Sequence, residues 1–110
     1  MITNEKRLID GLYNIILCQR NLHYVFEIPK PQNIEVTPDE YVCNLPIHDM
    51  PSDKYDSIRL FIGELFKYQV TLKELEGKFR KEQLRVLFDL INSSVNNMID
   101  YYKGLLYDED

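Results

Sequence analysis

A chain of 110 residues, 45 % apolar and 28 % charged, is long enough for one self-supporting core and lies outside the composition of disordered chains. Its net charge of −5 disfavours nucleic acid, which rewards a basic footprint. No apolar run approaches the roughly 18–20 residues of a membrane span, and the N-terminal MITNEKR carries no apolar export core. A single cytoplasmic domain over residues 1–110 is therefore expected, with Cys18 and Cys43 as reduced thiols.

The chain has no Ala and no Trp but eleven Ile, eight Asn and eight Tyr. The bias toward Ile, Asn, Lys and Tyr is the one that AT-rich codons produce, as in a low-GC microbe or its phages and mobile elements. With no Ala to let helices close up, helix separations toward the upper end of about 8–10 Å are expected.

A first helix is predicted over about 4–26. Thr3 can cap it, Glu5 complements the positive end of the helix dipole, and Leu8, Ile9, Leu12, Ile15, Ile16, Leu22 and Phe26 form an apolar stripe. Tyr13, Leu17, Tyr24 and Val25 lie off that stripe, so the helix is expected to be covered on two sides. All five prolines fall between Pro29 and Pro51, which excludes a long helix there. Inside this connector Thr37-Pro38-Asp39-Glu40 reads as a capping box opening a short helix near 38–44. Val42, Leu45, Ile47 and Met50 predict that the connector packs down. The segment 27–56 also holds the acid, with a net charge of −5.

Ser52 or Asp53 caps a second main helix over 53–69, with Tyr55, Ile58, Phe61, Ile62 and Leu65 as its stripe and Leu60 and Phe66 beside it. Thr71-Leu72-Lys73-Glu74 reads as a further capping box. It opens a helix predicted to run over 72–106, in which a polar stripe from Glu74 through Arg85, Asp89, Asn92, Asn96 and Asp100 to Lys103 recurs every three or four residues. Pairs at i,i+4, Glu74 with Lys78 and Glu76 with Arg80, favour continuity through Gly77 and nearly offset the roughly 1 kcal/mol that Gly costs in a helix interior. At 1.5 Å per residue such a helix is about 52 Å long, against about 34 Å for a compact domain of this size. It must break at Gly77 or reach beyond its own domain to a partner. The fold class expected is a small all-α bundle of three main helices plus the short one.

Every Cys and His falls in Cys18-Gln-Arg-Asn-Leu-His23 or Cys43-Asn-Leu-Pro-Ile-His48. Two thiolates and two imidazoles would complete a tetrahedral zinc set. On a continuous helix, however, residues five apart point about 140° away from each other, so Cys18 and His23 do not converge. Cys43 with His48 and Asp49 lacks any local catalytic motif, and there is no phosphate-cradling glycine loop or metalloprotease helix motif. No cofactor and no enzymatic activity are expected; a zinc-stabilised or catalytic domain using Cys18, His23, Cys43 and His48 is the alternative. The basic run Lys78, Lys81 and Arg85 shares one face if the helix is continuous, but Glu74, Glu76, Glu82 and Asp89 surround it as on a solvated mixed-charge surface.

What remains is binding of another protein, or of a second copy of this chain, by an assembly subunit, adaptor or small inhibitor. The seam Leu84, Leu87, Ile91, Met98 and Leu105 supplies heptad-like positions on the C-terminal helix. Tyr101 and Tyr107 are of the type enriched at interfaces, and Asp39, Glu40 and Asp49 present acid to a basic partner.

Overall fold

The computed structural model describes residues 3–26, 28 and 53–107, and these form three packed α-helices with no strand among them: α1 (Asn4–Val25), α2 (Lys54–Leu75) and α3 (Glu82–Tyr107). The short helix expected near 38–44 lies outside the described residues. The Thr3 hydroxyl accepts from the Lys6 N–H at 3.1 Å and the Asp53 carboxylate from the Asp56 N–H at 3.1 Å, so the expected caps start α1 and α2.

α2 is the middle helix, packed on both neighbours, and α1 and α3 touch mainly where Gln19 and His23 meet Tyr102. The contacts run antiparallel from α1 to α2: Arg7 pairs with Glu74, Leu8 with Tyr68, and Asn14 lies beside Glu64. The core gathers Leu8, Ile15 and Leu22 from α1, Ile58, Leu65 and Leu72 from α2, and Phe88, Ile91, Val95 and Tyr102 from α3. Leu8, Ile15, Leu22, Ile58 and Leu65 are positions of the stripes read from the sequence, and Ile91 belongs to the expected seam, whereas Phe88 is a core residue that the sequence pattern did not single out. Of the four residues that led to the expectation of covering on two sides, Tyr13, Tyr24 and Val25 are exposed and Leu17 is half-buried, so that expectation fails along most of α1. Only at the level of Gln19 to Leu22, where four consecutive residues are buried, is the helix enclosed.

Between α1 and α2 one glycine makes local room: a Cβ at Gly11 would fall 2.2 Å from the Tyr68 ring, which lies where a side chain would be. The Tyr68 hydroxyl then reaches past Gly11 to donate to the Leu8 carbonyl at 2.5 Å. Burial pushes the Tyr68 pKa up, and the Leu12 N–H nearby opposes the shift only in part.

The helix expected over 72–106 does not exist as one piece. α2 continues past Gln69 to Leu75, because Leu72 and Leu75 extend its stripe and both are fully buried. Thr71 is no cap: its hydroxyl donates back to the Lys67 carbonyl inside α2. The chain then turns at Gly77, whose φ of 76° lies in the left-handed region that glycine enters without steric cost. Across it the Lys78 N–H bonds the Leu75 carbonyl at 3.0 Å. Lys78 and Arg80 lie beyond the end of α2, so the pairs expected with Glu74 and Glu76 have no helix to form on. Glu74 pairs with Arg7 of α1 instead. Phe79 anchors the turn, buried 5.9 Å from Phe88 between ring centroids.

With the break at Gly77, α3 is about 39 Å long at 1.5 Å per residue and fits within the 44 Å longest dimension of the fold. Its length therefore does not carry it outside its own domain, contrary to the expectation for a helix over 72–106.

Candidate functional site

α3 has three faces rather than two. At roughly 100° per residue, its five ionised residues, Glu82, Arg85, Asp89, Asp100 and Lys103, share an arc of about 60°. That arc adjoins α2: Asn96 beside it accepts from the Gln69 amide at 2.7 Å, and the Lys103 ammonium lies 5.0 Å from the centre of the Phe66 ring. The polar stripe read from the sequence is thus a ridge along the α2–α3 seam. A second arc, around Phe88, Ile91, Val95 and Tyr102, is the core.

The third arc, turned away from α2, carries Gln83, Val86, Leu90, Ser93, Asn97, Tyr101 and Gly104, and no charge. Val86 is 53 % exposed and Leu90 62 % exposed. A single polar stripe on the C-terminal helix implies that the apolar residues between its members, Val86 and Leu90 included, are buried, and the structure corrects that implication. Their exposure follows from the neighbours. One helix, α2, packs along one flank of α3, and α1 reaches it mainly near Tyr102, so a half-circumference of apolar residues is wider than the core behind it.

The other site residues expected from sequence divide along the same lines. Ile91 and Met98 are core, each 4 % exposed, while Leu84, Leu87, Tyr101 and Leu105 are half-buried against it and Tyr107 is exposed. Of the seam, then, Leu87 and Leu105 border the uncharged face, on which Tyr101 itself stands, and Ile91 and Met98 lie beneath it. Lys78 and Lys81 stand in the turn and Arg85 on α3, so they do not share a helix face. Arg85 lines an open groove of about 270 Å³ with Glu76, Phe79, Phe88, Asp89 and Asn92. Asp39, Glu40, Cys43, His48 and Asp49 lie outside the described residues.

His23 and Cys18 have separate surroundings. The Ile28 carbonyl, 2.9 Å from His23 Nδ1, can only accept, which assigns the hydrogen of the neutral ring to Nδ1. Nε2 then accepts from the Tyr102 hydroxyl at 2.6 Å, and that hydroxyl oxygen accepts from the Gln19 amide at 2.9 Å. Tyr102 is fully buried, and this pairing of both its donor and its acceptor is what makes burial tolerable. Desolvation raises its pKa, with Gln19 opposing and Tyr101 adding. Cys18 is half-buried, its thiol weakly bonded to the Asn14 amide oxygen at 3.9 Å, and desolvation first and the Glu64 carboxylate second push its pKa up. Such a thiol is less ionised than a free one, so its nucleophilicity is suppressed. Among the described residues no three His, Cys, Asp or Glu side chains converge as metal ligands.

No family model matches the chain, and the comparisons find no match among curated proteins or solved structures. No described helix is long and apolar enough to cross a membrane.

Proposed function

We propose that this chain is a non-enzymatic protein-interaction module whose contact surface is the uncharged face of α3. One observation carries the reading: Val86 and Leu90, one turn apart, stand more than half exposed on a face from which every ionised residue of the helix is absent. Depletion of charge, with apolar and tyrosine side chains in its place, is the compositional mark of interface centres. Scattered apolar residues such as Leu60 on the outer side of α2 are ordinary by comparison. The expected seam is accordingly moved part of a turn around α3, so that Ile91 and Met98 support the surface and Leu87, Leu90, Tyr101 and Leu105 present it.

The test is affinity purification of the full chain from its native source, comparing wild type with Leu90→Glu and, as control, Leu60→Glu. Wild type and Leu60→Glu are expected to retain a stoichiometric protein partner, either another protein or an untagged copy, that Leu90→Glu loses. Equal recovery with both variants would place the contact elsewhere and refute the reading.

A further inference from the structure

We draw no further inference here: the strongest candidate, the side-chain cluster of Gln19, Tyr102 and His23 where α1 meets α3, can run its hydrogen bonds in either direction because the Gln19 amide offers both a donor and an acceptor, so nothing in the structure makes protonation of His23 open or tighten that joint.

Discussion

Gly11 and Tyr68 show how much one missing methyl decides. The helix could hold Ala at position 11 with better intrinsic propensity, but the added carbon would stand 2.2 Å from the Tyr68 ring. Either the ring leaves its place or the two helices separate. Gly11→Ala is thus expected to destabilise the fold by about 1–3 kcal/mol, the usual cost of overpacking, read as a lower urea midpoint with an unchanged slope. Tyr68 and Tyr102 also set an alkaline limit. Both are phenols whose pKa lies above the ordinary value of 10.0 in the folded state, so above pH 10 the unfolded chain releases protons that the folded chain retains. Stability is then fully present below about pH 10 and falls as pH rises beyond it, by up to about 1.4 kcal/mol per pH unit for each tyrosine. Urea titrations from pH 8 to pH 11 should show that fall, and Tyr68→Phe should make it shallower. An unchanged midpoint across that range would contradict the burial of both hydroxyls.

At the scale of the element, the stripes of α1 and α2 were legible because each pairs a capping side chain with apolar spacing. α3 was harder to place, since its first turn follows Lys81, whose carbonyl accepts from the Arg85 N–H but whose side chain offers no oxygen to cap the helix. Thr71, which has the signature of a cap, is an interior residue of α2. Local capping chemistry thus pointed to the wrong turn, and the deciding term was tertiary, the burial of Leu72 and Leu75 against the core. Gly77 was the legible clue that helix-pair energetics of a few tenths of a kcal/mol could not outweigh. Gly77→Ala should cost about 1–2 kcal/mol, the penalty of a Cβ in the left-handed conformation, and Gly77→Asn should cost less because Asn tolerates that conformation best among side chains. Thermal midpoints of the two variants measure the difference. For the candidate site the sequence held part of what was needed: five charges on one arc of α3 are visible in the spacing. Which neighbour that arc adjoins is not, and without α2 beside Asn96 and Lys103 the exposure of Val86 and Leu90 has no local sign.

For the whole molecule, the arrangement of helices sets where stability concentrates. α2 is packed on both sides, α1 and α3 on one side each apart from their meeting at Tyr102. No subset of two helices that omits α2 retains a core. The residues of α2 that face inward, Ile58, Phe61, Leu65 and Leu72, are buried among side chains of the other helices, so opening α2 requires opening everything. Backbone amides in its central turns, from Phe61 to Tyr68, should accordingly exchange with solvent only through global unfolding, while those of the first turns of α3, at an uncapped end, should exchange through cheaper local fraying. Leu65→Ala then provides the check. Removing a fully buried leucine costs about 2–5 kcal/mol, and that loss should appear in full at the slowest amides of α1, α2 and α3 alike, as expected of one cooperative unit. Protection lowered in α2 and α3 but retained in α1 would mean that α1 opens independently, and the three helices would then not form the single core described above.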